Sequence, residues 1–417
     1  MPLRFPRPLP PYLVLALLFA TSGLTWGIWI ARIPGIAGQL ELSRTDLGAM
    51  LPAFSVGALI SFPIAAAATG RFGTRASVRM FGILRGLTFP LLALAPNPIT
   101  LLAALGVSGF MHGGLDVSLN AQGVEIERRT YGSILSRAHG SFSIGALVGS
   151  LGAGFAAQAG VPLPAQFLAP AALVLTMFAL LSHRLIDDEA PGAIRAISPA
   201  PIAKRRWRGV GIPPRALWGL GAIAFITGIG DEAIADWSAL FIRQDLGAAP
   251  LVASLAYALY SLALVIGRFS GDAISKRFAP MLLLQAGGAM AAIGLLIGTG
   301  FNAPIAMLIG LAIVGFGFSM IYPILYRMAG NTPGVARGKA MATMATIAYL
   351  GYLAGPLIIG PLASAASLRF ALFSVGVGCF AIPLIGWLRE PRPSETEAPT
   401  TSSFAPDTAP EPNAYSL

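Results

Sequence analysis

The chain has 417 residues, of which 55% are hydrophobic and only 11% charged, where soluble domains carry about 25% charge. With mean hydropathy at +0.72 and long stretches without any charge, the composition excludes a soluble globular protein and points to a polytopic membrane protein. The net charge of +10 does not indicate a nucleic-acid partner, because the Lys and Arg residues sit in short loops between apolar runs and not on one polar face.

A single cysteine, Cys379, excludes an internal disulfide framework, and three histidines without a neighbouring soft ligand give no metal site. No phosphate-binding, dinucleotide or hydrolase signature falls in a loop long enough to form a soluble domain, so neither an enzyme nor a cofactor is expected.

A spanning helix needs about 20 mostly apolar residues. Twelve such stretches follow one another: near 12–38, 47–70, 77–96, 98–124, 134–160 and 164–184, then 215–241, 250–272, 280–300, 302–328, 338–363 and 367–389. The first run continues past Trp29 without a small-residue cleavage site, so it reads as a span and not a signal peptide. Of the 28 Lys and Arg residues, only Arg32, Arg44, Arg243 and Arg369 fall on one side when the spans alternate, leaving 24 on the other. By the positive-inside bias both termini are cytoplasmic.

The predicted organisation is a six-helix half at 1–184, a cytoplasmic loop at 185–214, a second half at 215–389 and a disordered cytoplasmic tail at 390–417. The loop carries the basic run Lys204-Arg205-Arg206-Trp207-Arg208, which reads either as an anionic-lipid contact or as an ordinary inner linker.

The halves repeat one another. The first span ends WIARIPGIAGQLELS and the seventh DWSALFIRQDLGAA; the fourth reads GFMHGGLDVSLN and the tenth GFGFSMIYPILY. An Arg-Phe-small element follows the second span of each half, Gly70-Arg71-Phe72-Gly73 and Lys276-Arg277-Phe278-Ala279. Such matches at corresponding places support parallel halves related by an axis along the membrane normal.

The GRFGTR loop at 70–75 resembles the signature between spans two and three of the major facilitator superfamily. It departs from the usual pattern with Ala66, Gly70 and Thr74 at the positions of a Gly, an acid and a base, whereas GRFSGDAISKRF in the second half keeps Asp272. The segments LDVSLNAQGVEIERR (115–129), SRAHGSFSIGALVGS (136–150) and GDEAIADWSALFIR (230–243) are similar to the fucose-permease-like branch, in particular its YbjJ- and MosC-like members. The resemblance covers all but the tail. It implies an all-α fold of twelve transmembrane helices in two pseudo-symmetric halves, and a proton-driven transporter of sugars or polyols in a bacterial inner membrane. It also implies a gating loop carried by Arg71, Gly73 and Arg75 in the first half and by Asp272 and Arg277 in the second.

Charges within spans are costly and usually functional. Asp116 lies about nine residues from the inner end of the fourth span, roughly 13 Å deep at about 1.5 Å per residue. His112 and Asn120, four residues to either side, share its helix face. A carboxylate away from water can exchange a proton as its surroundings change, which is what a proton carrier needs. The alternative is a static pair with Arg85 on the adjacent span, or with His139. His139 could relay protons to Asp116, its imidazole titrating ordinarily near pH ~6.5, or simply hydrogen-bond a neighbouring helix.

On the seventh span Glu232 and Asp236 face together and Asp231 points about 100° away. They could carry a second proton or bind substrate hydroxyls; alternatively Asp236 is solvated or pairs with Arg243. Trp26, Tyr257 and Tyr322 supply aromatic faces suited to the C–H side of a sugar, while Trp29 and Trp237 lie where interfacial tryptophans are also found. Small-xxx-small spacing at 145–154 favours close helix approach, and Pro323, Pro356 and Pro361 are expected to kink late spans.

The expected partners are a small-molecule substrate, protons and the bilayer, with the chain acting as a monomer. Proton-coupled symport of a small polar solute is the reading these residues favour. Proton-driven export of a drug or metabolite, and a non-transporting ligand sensor, remain as alternatives.

Overall fold

A computed structural model describes residues 9–130, 134–187, 215–333, 335 and 337–389. Twelve helices in it are long and apolar enough to cross a membrane: α1 (Pro11–Gln39), α2 (Arg44–Phe72), α3 (Thr74–Leu94), α4 (Pro98–Arg129), α5 (Arg137–Gln158) and α6 (Leu163–Arg184), then α7 (Arg215–Asp245), α8 (Pro250–Gly271), α9 (Pro280–Gly300), α10 (Pro304–Gly330), α11 (Thr343–Ala365) and α12 (Leu368–Leu388). Helices are forced here because hydrocarbon offers no water to the backbone, so each segment has to satisfy its own N–H and C=O groups.

Proline sets several boundaries and breaks. Pro11, Pro52, Pro250, Pro280 and Pro304 open helical runs, where the missing N–H is not needed. The regular helix of α10 stops at Phe318 and resumes at Ile321, at the point where the ring of Pro323 meets the carbonyl four residues back. The same reasoning places the interruption of α12 at Phe380, ahead of Pro383. Pro356 and Pro361, expected to kink α11, lie inside a helix that runs on unbroken from Arg337 to Ala365. The α4 helix outlasts its predicted span, and its polar end closes on itself: Glu125 accepts from Arg128 and Arg129, each at 2.7 Å, while Glu127 accepts from the N–H groups of Ile134 and Leu135, just ahead of α5.

The packing pattern of one half is repeated in the other. In the first, α1 packs on α5, α2 on α4, α3 on α4 and α3 on α6; in the second, α7 packs on α11, α8 on α10, α9 on α10 and α9 on α12. The halves meet along α5 against α8 and α2 against α11, two contacts that the same pseudo-two-fold interchanges. Lipid is as apolar as a leucine side chain, so close van der Waals approach is what holds such helices together. A side chain at Gly23 or Gly145 would run into the backbone of α5 or α1 respectively, and Gly228 and Gly351 play the same part between α7 and α11.

At the Lys/Arg-poor end the halves are latched. Arg44 pairs with Asp245 at 2.7 Å, Thr45 Oγ1 donates to Ser364 at 2.7 Å, and Gly48 meets Gly360 backbone to backbone. Towards the opposite end Arg268 Nη1 donates to Ser143 Oγ at 3.2 Å. The basic run at 204–208 and the tail from 390 lie outside the described residues.

Candidate functional site

Of the polar residues picked out within the spans, His112, Asp116, Asn120, His139, Asp231 and Glu232 are half-buried in an otherwise apolar bundle, while Arg85 and Asp236 are buried. On α4, Asn120 Nδ2 donates to the Asp116 carboxylate at 3.1 Å and to the Asp116 carbonyl at 2.9 Å. Its Oδ1 lies 3.0 Å from His139 Nε2 on α5. A carbonyl oxygen only accepts, so the Nε2 nitrogen carries the hydrogen. The result is a chain Asp116–Asn120–His139 joining two helices. One turn before Asp116, His112 stacks on Trp26 with ring centroids 5.4 Å apart, and its Nδ1 has no hydrogen-bond partner among the described residues.

Arg85 makes no ion pair with Asp116. Its Nε and Nη2 donate instead to Thr25 Oγ1 on α1, at 3.2 and 2.9 Å. Thr25 is free to accept both because its own hydroxyl hydrogen goes to the Ser22 carbonyl at 2.8 Å.

Trp26 reaches across the seam, donating from Nε1 to the hydroxyl of Tyr257 on α8 at 2.9 Å. Tyr257 lies 5.7 Å from Tyr260, which donates to Asp231 on α7. Tyr352 on α11 donates to the other oxygen of Asp231 at 3.5 Å. Tyr322 and Tyr349 lie 6.5 and 5.4 Å from the Tyr352 ring.

Among the described residues the Glu232 carboxylate makes no hydrogen bond, and Asp236, one turn on, is only 3% exposed with its Oδ2 unpartnered. Asp236 is therefore neither solvated nor paired with Arg243, whose Nη1 donates to the Ala248 carbonyl. Trp29 and Trp237, placed by depth among possible interfacial residues, are buried inside the protein.

In the predicted gating loop, Gly73 ends the second helix at φ 86°, a left-handed conformation that favours glycine. Arg75 pairs with Asp187 at 2.7 Å and so ties the loop to the end of α6 within its own half. Arg71 lies over the neighbouring Phe72 ring, and Arg277 is exposed. The side chain of Asp272 lies outside the described residues.

Tyr352 and Thr25 escaped the sequence reading as site residues. Tyr352 stands three residues after Tyr349, a helical spacing that a search for aromatic pairs on the eleventh span would have found. Thr25, next to Trp26, carried no signal beyond an ordinary hydroxyl.

Twelve spans in two repeating halves, with polar groups concentrated where the halves meet, define a multi-pass membrane protein with the architecture of a transporter. The sequence profile described as Major Facilitator Superfamily matches residues 15–334 and 239–412, and the chain belongs to that superfamily. It is 30% identical over 370 residues to an uncharacterised MFS-type transporter of Yersinia pestis, covering 88% of this chain and 92% of that one. It is also 28% identical over 369 residues to the membrane protein MosC of Rhizobium meliloti, covering 87% and 86%. Among solved structures it superimposes on a D-xylose–proton symporter with a TM-score of 0.70, at 17% identity over 90% of this chain and 97% of that one. The chain is a membrane transporter of this superfamily and not an enzyme.

Proposed function

We propose that the chain is a proton-coupled symporter of a small polar solute, a sugar or polyol, working by alternating access in a bacterial inner membrane with both termini cytoplasmic. The residues around 1–184 and 215–389 would rock as two units joined through 185–214. The observation that carries this reading is the chain Asp116–Asn120–His139, a carboxylate on a spanning helix linked through an amide to an imidazole.

Asp116 is the proton carrier. When it holds a proton its side chain no longer needs a counter-charge, and the seam can close over it; when it is ionised it needs water or a donor, which favours an open state. Asn120 keeps the carboxylate oriented, and His139 gives the proton a second titratable stop. Across the seam, Trp26 and Tyr257 offer flat faces and polar tips to a ring-shaped solute, and Asp231 with Tyr260 and Tyr352 offers hydroxyl-binding groups. Glu232, without a partner of its own, serves as a second proton site, and Asp236 beside it responds to its charge.

The D-xylose–proton symporter of similar fold supports this assignment, since its solute has the required chemistry. The unpartnered acids Glu232 and Asp236 favour one other reading, export of a cationic compound in exchange for protons, because a cation would satisfy both. The test is Asp116→Asn in proteoliposomes, with D-xylose and myo-inositol as probes. Proton-gradient-driven accumulation and its pH dependence should be lost while solute exchange without a gradient persists; accumulation that survives with its pH dependence intact would end the proton-carrier reading.

A further inference from the structure

Four arginines stand at the Lys/Arg-poor end, and two of them have side-chain partners: Arg44 pairs with Asp245 at 2.7 Å, and Arg369 donates to Asn302 Oδ1. The other two, Arg32 and Arg243, form no ion pair among the described residues. They come from corresponding places in the halves, each six residues after a tryptophan (Trp26 and Trp237) towards the end of the first span of its half. Arg32 lies folded over Gly35, where a Cβ would stand 2.5 Å from its Nη2. Its buried Nε finds no acceptor among the described residues. Arg243 sits in the π-helical turn Phe241–Asp245 that ends α7, closed by the Leu246 N–H on the Phe241 carbonyl at 3.1 Å. The turn sends Asp245 to Arg44 and leaves Arg243 with one bond, from Nη1 to the Ala248 carbonyl at 2.8 Å.

These two side chains line one cavity of about 220 Å³ between the halves, together with Pro34, Gly38, Ala157 and Pro250. A single water takes on the order of 10–15 Å³, so the cavity holds a group of several heavy atoms. Gly38 and Arg243 are exposed, which opens it to the surface. Beside it α5 and α8 close directly on one another: Ser150 Oγ donates to the Ser254 carbonyl at 2.7 Å, next to Ala253 in the cavity wall. No carboxylate is among the lining residues, and the charge that acts on Arg32 is the like charge of Arg243. A guanidinium stays charged under all ordinary conditions. The halves thus present like charges to each other on the α5–α8 side, at the same end that Thr45 and Ser364 latch on the α2–α11 side.

We propose that Arg32 and Arg243 together bind a phosphate group, one guanidinium from each half, and that this bridge favours the closed state of the latched end. The site stands apart from the solute reading above, since it uses no residue of the Asp116–Asn120–His139 chain. An anion between the two guanidiniums turns their repulsion into attraction across the seam. Phosphate suits the pair better than carboxylate: one guanidinium fork fills a carboxylate, whereas the several oxygens of a phosphate accept from two forks approaching from different sides. Pro34, Ala157, Pro250 and Ala253 make the remaining wall apolar, so the phosphate carries an organic residue. That residue belongs either to a soluble phosphate ester or to the head group of an anionic lipid, and both offer the same phosphate to the two arginines.

The test combines thermal unfolding of the purified full-length protein with spin labels at Thr45→Cys and Ser364→Cys, in a chain with Cys379 replaced, to report the latched end. In detergent, sodium phosphate and glycerol 3-phosphate are compared with sodium chloride and sodium gluconate at matched ionic strength. Nanodiscs of phosphatidylcholine with and without phosphatidylglycerol form the lipid arm. The soluble phosphates, the lipid or both should raise the unfolding midpoint and enlarge the short-distance population, and chloride and gluconate should do neither. Removing the charged donors of one side should weaken apparent affinity about tenfold in Arg32→Gln and in Arg243→Gln, with Arg32→Lys retaining part of it. Gly35→Ala keeps both charges but fills the space where the Arg32 guanidinium lies, and it should weaken binding as well. Should a glutamine variant not fold, Arg32→Lys and Gly35→Ala carry the comparison. Asp116→Asn should leave the phosphate response intact.

A response to the soluble phosphates alone identifies a soluble ester as the occupant, and a response to phosphatidylglycerol alone identifies the lipid; either supports the site when the arginine variants lose it. Gluconate acting as strongly as phosphate would overturn the phosphate assignment. Equal shifts from chloride, shifts undiminished in both glutamine variants, or silence with every phosphate source would overturn the site itself. A raised midpoint with no gain in the short-distance population would overturn the closing role. None of these failures touches the symport reading, which stands or falls on Asp116.

Discussion

Asn120 holds the polar chain of the first half together, because an amide can donate to one neighbour and accept from another at once. It satisfies Asp116 on its own helix and His139 on the next. His139→Gln offers a direct check at this scale. The glutamine amide can still donate to Asn120 while the titrating ring is gone, so the fold should persist and the pH profile of solute uptake should change. An unchanged profile would reduce His139 to a strut between α4 and α5. The grouping of His112, Asp116 and Asn120 was legible in the sequence, since residues four apart share a helix face. The partner of Arg85 was not: matching depth on adjacent spans suggested Asp116, but only the rotation of α3 about its axis decides that Arg85 faces Thr25 on α1. Burial of Asp236 escaped for the same reason, as depth along a helix says nothing of which side neighbouring helices cover.

Glycine carries much of the packing between elements. Gly145 on α5 abuts the Ala20 backbone of α1, whereas Gly152, two turns on, has open space around the position of a side chain. Gly145→Val should therefore lower the unfolding midpoint, by an amount corresponding to overpacking of about 1–3 kcal/mol, and Gly152→Val should leave it near the wild-type value. Equal effects from the two would mean that the α1–α5 contact is not the tight one. The small-residue pattern at 145–154 announced a close approach, but not that α1 would be the partner. Proline proved a weaker guide: Pro323 coincides with an interruption of α10, while Pro356 and Pro361 sit in an unbroken α11. A helix packed against neighbours can keep its remaining hydrogen bonds around a proline.

At the scale of the whole molecule, the repeat read from short sequence matches corresponds to a repeat in contacts: α1 on α5 mirrors α7 on α11, and α2 on α4 mirrors α8 on α10. Hydropathy alone sufficed for the twelve spans, because a membrane leaves the backbone so few options. The latch between the halves was invisible in the sequence, since Arg44 and Asp245 are 201 residues apart and each reads as an ordinary loop charge.

If the halves rock, this latch has to open. Spin labels at Thr45→Cys and Ser364→Cys, introduced after replacing Cys379, should report a short distance together with a second, longer one, the balance moving with pH. A single short distance at every pH would show that the latched end does not open.

Coupling of solute movement to proton movement is the centre of the account, and one measurement addresses it most directly. The protein is reconstituted in liposomes holding a pH-sensitive dye, and D-xylose, myo-inositol or D-glucuronate is added outside. The account expects at least one of them to acidify the lumen at once in the wild type and not in Asp116→Asn. No change in lumenal pH with any of the three, or a change only when a lipophilic cation is added, would contradict it.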